Sequence, residues 1–173
     1  MEFGFWALCG LFVLCVATRT TYELAKKAER VDASRTFLLA LVFVAMFLLW
    51  TSWFVMCPRD PWAFRLPSIA RWAGLGVVVA GWGLAIGALV QLRGVENIDH
   101  LVTTGLFARI RHPMYMGFVF WILGWAVYNG AALCLIVGVL AIGNIAYWSL
   151  LEDAALEATY GEQYRDYRQG TWF

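Results

Sequence analysis

The 173-residue chain is 62% hydrophobic and 17% aromatic, with only 14% charged residues and a formal net charge of +1. A water-soluble domain carries roughly 25% charged residues, so a soluble core is a poor fit, and the near-neutral balance argues against electrostatic capture of nucleic acid. The apolar residues fall in long runs, the pattern of an all-α integral membrane protein, and the length suits a single domain over residues 1–173.

In chain order, apolar runs extend over Phe3 to Ala17, Thr36 to Met56, Ile69 to Leu92, Met114 to Tyr128 and Ala131 to Leu151. The first and fourth, at about 15 residues or roughly 22 Å of helix, fall short of the ~30 Å hydrocarbon core. They must extend into flanking residues or sit where the membrane thins. About five transmembrane helices are expected, with four and a partial insertion as the alternative. No Lys or Arg precedes the first run and no small-x-small site follows it, so it reads as an uncleaved span rather than a signal peptide.

Positive charge orients the spans. Arg19, Lys26, Lys27, Arg30, Arg35, Arg93, Arg109, Arg111, Arg165 and Arg168 fall on one side, against Arg59, Arg65 and Arg71 on the other. This predicts the N-terminus outside and the C-terminus in the cytoplasm. Arg71, near the start of the third run, is free to snorkel. The Pro-rich stretch from Cys57 to Pro67 reads as an ordered outer turn. Trp50, Trp53, Trp62 and Trp72 read as an interfacial aromatic belt. Gly74, Gly76, Gly81, Gly83 and Gly87 crowd the third run, where small residues let helices approach closely. Cys9, Cys15, Cys57 and Cys134 lack CxxC spacing and read as buried free thiols; His100 and His112, the two histidines, have no cysteine close by, so no metal is expected.

The inner loop from Arg93 to Pro113 is unusual in carrying Leu101, Val102, Leu106, Phe107 and Ile110, which a solvated loop has no need of. It ends in Arg111-His112-Pro113-Met114-Tyr115-Met116-Gly117, and Pro113 forces a turn at His112 before the fourth span. Glu152 and Asp153 lie at the exit of the fifth span. The two polar clusters flank one helical hairpin, so they can meet on one side of the membrane, where ionisable residues tend to be kept for function. Adjacent acids point in different directions on a helix, so only one of this pair can easily face a pocket. Beyond them, an amphipathic helix broken at Gly161 is expected, with Tyr160, Tyr164 and Tyr167 on one face.

Leu-Val-x-x-Gly at residues 101–105, Arg-His-Pro-x-Tyr-x-Gly at 111–117, the paired acids, and Leu-x-x-x-Tyr-Gly-x-x-Tyr-x-x-Tyr at 156–167 together resemble the isoprenylcysteine carboxyl methyltransferase family and the related phospholipid methyltransferases. The motif region covers 94–167. The resemblance implies an integral membrane enzyme that uses S-adenosyl-L-methionine without a Rossmann fold, binding it in a cytoplasmic loop. It implies cofactor contacts from His100, Leu101 and Val102, mainly through the backbone, a turn at Gly105, and a lining of His112, Pro113 and Tyr115. Glu152 would hydrogen-bond a polar group of the cofactor, while Leu101, Val102 and Phe107 would form the adenine slot. Arg111 and Asp153 are the candidate catalytic residues, and Trp148 and Arg109 the candidate acceptor-binding residues.

Three positions depart from the family pattern. Phe107 stands where Tyr is common, Asp153 where the second acid is Glu, and Trp148 where the isoprenylcysteine enzymes carry an Arg associated with a carboxylate substrate. No cation close in sequence replaces that Arg, although Arg109 or Arg111 could reach the place in space. An indole there suits a neutral, apolar or cationic acceptor better than an anionic one. The implied function is methyl transfer to a lipophilic or membrane-dissolved acceptor among the membrane lipids. Alternatives are N-methylation of a phospholipid headgroup, S-methylation of a small thiol, a nicotinamide-dependent membrane reductase, and a non-catalytic membrane protein.

Overall fold

The computed structural model describes residues 2–28, 30, 36–92 and 100–173. Residues 31–35 of the basic first loop and 93–99, which open the expected inner loop, lie outside the described residues, and the readings of Arg35, Arg93 and Gly94 with them. The described residues form six α-helices: α1 (Glu2–Lys27), α2 (Thr36–Met56), α3 (Ser68–Leu92), α4 (Pro113–Asn129), α5 (Ala132–Tyr160) and α6 (Glu162–Gln169), with short 3-10 turns at Cys57–Arg59 and Gly105–Ala108.

Four of these, α1, α2, α3 and α5, are long and apolar enough to cross a membrane. Large side chains such as Phe3, Phe37, Phe47, Ile69 and Leu140 stand exposed on them, as lipid-facing positions require. The chain is a multi-pass membrane protein. The short first run is lengthened by polar residues: α1 continues to Lys27, and its 26 residues rise about 39 Å. That continuation takes Arg19, Thr20 and Glu23 out of the expected loop and into the helix. By contrast α4 stays at 17 residues, about 25 Å, and lies against α3 and α5. The apolar run after Ala131 and the amphipathic segment after Leu151 are one helix, α5, of 29 residues.

Close packing of α3 on α4 uses two pairs of glycines one heptad apart. A Cβ on Gly74 would lie 2.8 Å from the Gly124 carbonyl oxygen, and one on Gly81 would lie 2.7 Å from that of Gly117. Such separations let two antiparallel backbones touch, which stabilises helix pairs in lipid where no hydrophobic force acts between them. Gly76 and Gly83, on the same helix, meet nothing. Only part of the glycine run serves the contact.

Asp60 fixes the outer end. Its buried carboxylate accepts from Trp62 N at 2.7 Å and, across the fold, from Cys134 N at 2.7 Å. It thus caps the first turn of α5, whose free amides favour a negative charge. Gly130 joins α4 to α5 with φ +64°, and a Cβ there would lie 2.1 Å from the Phe64 carbonyl oxygen. The expected ordered outer turn is therefore built into the hairpin. Arg71 donates to the Tyr128 carbonyl at 3.0 Å, at the α4 C-terminus, rather than snorkelling alone. Trp62 and Trp72 are exposed near this end, as a belt requires, but Trp53 is fully buried and Trp50 packs on Phe118 and Trp121 with ring centroids 4.8 Å apart. Those two are core residues because they fall on the inward stripe of α2. The four cysteines are free, with Cys15, Cys57 and Cys134 buried.

The glycine geometry gives a paired prediction. Gly81→Val forces the α3–α4 backbones apart and should cost about 1–3 kcal/mol. Gly83→Ala, facing open space, should stay within about 0.5 kcal/mol. Thermal melts in detergent check both, and equal losses would show that the close approach is not what matters.

Candidate functional site

The site forms where the N-terminal end of α4 meets the C-terminal half of α5. Pro113 occupies the first helical position of α4, where its missing N–H costs nothing. His112 precedes it with φ −121° and ψ 63°, so its ring turns toward α5. There the paired acids divide as helical geometry demands: the Asp153 side chain is 7% exposed and the Glu152 side chain 47%. Both reach the same imidazole from opposite sides. His112 Nε2 lies 2.7 Å from Asp153 Oδ1, and His112 Nδ1 lies 3.6 Å from Glu152 Oε2.

Asp153 Oδ1 is heavily used. Beside His112 it accepts the Tyr164 hydroxyl, and Arg111 Nε lies 3.7 Å away. A buried carboxylate with these donors organises its neighbours rather than standing free as a base. Burial, then the adjacent carboxylate, pushes the Tyr164 hydroxyl well above the ordinary tyrosine range, so it remains a donor. Tyr167 is pushed up to about 12, chiefly by burial, with Arg111 opposing; its hydroxyl donates to the Phe107 carbonyl at 2.7 Å. Thus α6, which follows the turn at Gly161 (φ +56°), holds α5 through Tyr164 and the loop before α4 through Tyr167.

A second strap adds to this. Trp172 N donates to Arg109 O at 3.0 Å, His112 N to Phe173 O at 2.9 Å, and Arg111 N to Trp172 O at 3.3 Å. Arg111 Nη1 donates to the Thr171 carbonyl at 3.0 Å. Arg111 is therefore occupied by the C-terminal segment and by Asp153, which places it poorly for a direct catalytic role. Arg109 is exposed on the loop.

Aromatic rings continue from the histidine into the membrane. Tyr115 stacks on His112 with centroids 5.5 Å apart and planes 28° apart, and Trp148 follows at 6.5 Å from Tyr115. Glu152 lies near the Tyr115 hydroxyl. A half-exposed carboxylate flanked by stacked rings suits a ligand that carries a cation and hydroxyls.

The structure thus brings together Arg111, His112, Pro113, Tyr115, Trp148, Glu152 and Asp153. Phe107 is buried and tied in through Tyr167. Gly105 has φ +61°, and Leu106 N beside it donates to Gln91 on α3 at 3.0 Å, so the expected turn is present. Leu101 and Val102 are half-buried, whereas His100 is exposed and stands outside the cluster. Among the described residues no group of three or more His, Cys, Asp or Glu side chains is arranged to hold a metal ion.

Sequence reasoning missed Arg19. Its guanidinium lies 5.8 Å over the Trp148 ring and 5.6 Å over Tyr22. A cation does stand beside Trp148, supplied by α1 and not by Arg109 or Arg111. The signal was present: Phe5, Phe12 and Arg19 are seven residues apart, with Cys15 and Tyr22 on the same stripe, and those four neighbours are all buried.

The family profile described as phospholipid methyltransferase matches residues 71–163, more than half of the chain. The chain belongs to the phospholipid methyltransferase family. Within this family's reach it is similar to a protein-S-isoprenylcysteine O-methyltransferase of Schizosaccharomyces pombe, 30% identical over 112 residues, covering 59% of this chain and 48% of that protein. It is similar to a methanethiol S-methyltransferase of Mycobacterium tuberculosis, 29% identical over 147 residues (75% and 58%), and to another of Pseudomonas deceptionensis, 29% over 156 residues (78% and 55%). The chain spans about half the length of the curated relatives it matches. No solved structure matches. The matched stretch runs from the start of α3 into α6 and so contains the His112–Glu152–Asp153 cluster.

The clamp predicts a measurable coupling. Tyr164→Phe removes a hydrogen bond to a charged group and should cost about 1.5–3 kcal/mol. It should also speed tryptic cleavage at Arg165 and Arg168. Tyr147→Phe, on an exposed flank of α5, should do neither.

Proposed function

We propose that this protein is an S-adenosyl-L-methionine-dependent methyltransferase acting on a lipophilic or membrane-dissolved acceptor. The observation that carries this reading is His112 held between Glu152 and Asp153, with Tyr115 stacked on it, at the open end of the α4–α5 hairpin. Glu152 and the faces of Tyr115 and His112 would hold the polar and cationic parts of the cofactor, and Phe107, Leu101 and Val102 the adenine. Bound there, S-adenosyl-L-methionine supplies an electrophilic methyl group on a sulfonium.

Positioning and dryness are what the chain contributes to an in-line displacement. Asp153 fixes the His112 ring by accepting from Nε2, and Tyr164 keeps that carboxylate in place. This leaves Nδ1 facing Glu152, so an acceptor that arrives protonated has these two groups to receive its proton. Trp148 and Tyr115 line the approach from the hydrocarbon. Small-thiol S-methylation is favoured over headgroup N-methylation by the methanethiol methyltransferases, whose similarity extends over about three quarters of this chain.

Calorimetry of the detergent-purified protein should detect S-adenosylhomocysteine, and Glu152→Ala or Tyr115→Ala should weaken it by roughly tenfold or more, about 1.4 kcal/mol. NADPH should neither bind nor raise the melting temperature, whereas S-adenosylhomocysteine should do both. Absence of binding at millimolar S-adenosylhomocysteine by folded protein would end the methyltransferase reading.

Sidedness belongs to the same proposal. The charge distribution places Lys27 and Gln169 in the cytoplasm and Arg59 outside. Single cysteines introduced at these positions, in a background without native cysteines, should label accordingly with an impermeant maleimide. Labelling of position 169 from outside would put the cluster on the other face.

A further inference from the structure

We propose that the seam between α1 and α5 is the acceptor's recognition site, that Arg19 is its specificity-determining residue, and that it takes an anionic acceptor group on an apolar body. This rests on the methyl-transfer reading above. An ionisable residue facing the interior of a membrane helix bundle marks a functional position by default. Arg19 is such a residue: its side chain is only 15% exposed, and its ion-pair partner Glu23 is 16% exposed. A simple i,i+4 pair gains little from burial and would be better placed in the lipid headgroups.

Arg19 Nη1 is ion-paired with the Glu23 carboxylate, and the donor left over lies on the neighbouring helix. On the facing turn of α5, Asn144 engages Thr20 at 3.2 Å and leaves its buried Nδ2 without a partner. Thr20 also accepts Trp148 Nε1 at 3.0 Å. The α1–α5 contact thus holds one buried donor without a partner, on an asparagine linked through Thr20 to the indole, and a buried donor without a partner is rare enough to require a reason. An anion satisfies it.

The seam also connects to the cofactor end. From Arg19 the path is Trp148, then Tyr115, then His112, with ring-to-ring steps of 6.5 and 5.5 Å. An acceptor held by Arg19 therefore lies against the rings that line the methyl donor's site. A carboxylate or thiolate needs no base. Its lone pair forms the new bond to the methyl carbon, the carbon–sulfonium bond breaks onto sulfur, and anion plus sulfonium become two neutral products. The indole at 148, which by itself disfavours an anion, becomes one wall of a guanidinium site.

The test compares S-dodecylthioacetate with its primary amide, using the full chain in detergent. Wild type should bind the carboxylate roughly tenfold more tightly than the amide by calorimetry. Arg19→Gln should erase that preference, Arg19→Lys should keep part of it, and both should bind S-adenosylhomocysteine as wild type does. In labelled methyl transfer, Arg19→Gln should raise KM for S-dodecylthioacetate or dodecanethiol with kcat nearly kept. Turnover of one or the other tells carboxylate from thiolate. Equal wild-type affinity for carboxylate and amide, which needs no variant, overturns the proposal. So does transfer to uncharged acceptors alone, or an Arg19→Gln protein that retains the preference. Loss of the methyl-transfer reading would show separately, as absent S-adenosylhomocysteine binding.

Discussion

The buried carboxylate of Asp153 is the interaction on which the open end of the α4–α5 hairpin depends. A charge taken out of water costs several kcal/mol unless partners surround it. Its partners come from three places: His112 at the start of α4, Arg111 in the loop, and Tyr164 on α6. Satisfying one group therefore fixes the mouth of the hairpin, the direction of α6 and the path of the preceding loop together. The histidine that faces Glu152 on its other side inherits its orientation from this bond.

The outer end is organised by a second buried acid. Asp60 caps α5 from a loop that lies between α2 and α3, so it locks the turn beside Gly130 where α4 passes into α5. With both ends fixed, α4 keeps its register although it is shorter than the hydrocarbon core. The glycine pairs on α3 and α4 hold its middle, where no hydrophobic force acts between helices in lipid. The site is consequently built on rigid elements, as the proposed in-line displacement at a methyl carbon demands.

The proposed acceptor end follows a different logic. It is assembled by α1, a helix far from the motif region in sequence, and its chemistry departs from what the motifs imply. Trp148, read in isolation, points to a neutral or cationic acceptor. With Arg19 against it and Thr20 bonded to its indole, the same residue becomes the support of a cation. The meaning of position 148 depends on a neighbour 129 positions away in a 173-residue chain.

Much was legible in the sequence because it was periodic or contiguous. Apolar runs set the spanning helices, Pro113 and Gly161 set helix boundaries, and the two polar boxes flanking one hairpin were bound to meet. Helical geometry required that Glu152 and Asp153 diverge, but not which one turned inward; packing of α6 decided that. The length of α1 was hidden because its last turns are rich in polar residues, which read as a loop in composition, while the stripe through Phe5, Phe12, Cys15 and Tyr22 shows only at helical spacing. Whether a tryptophan belonged to a belt or to the core, which glycines touched, and which arginine stood beside Trp148 were decided by tertiary structure alone. Local sequence dictates where a helix runs and which face is apolar; the partner each face meets is set by the assembly of all the helices.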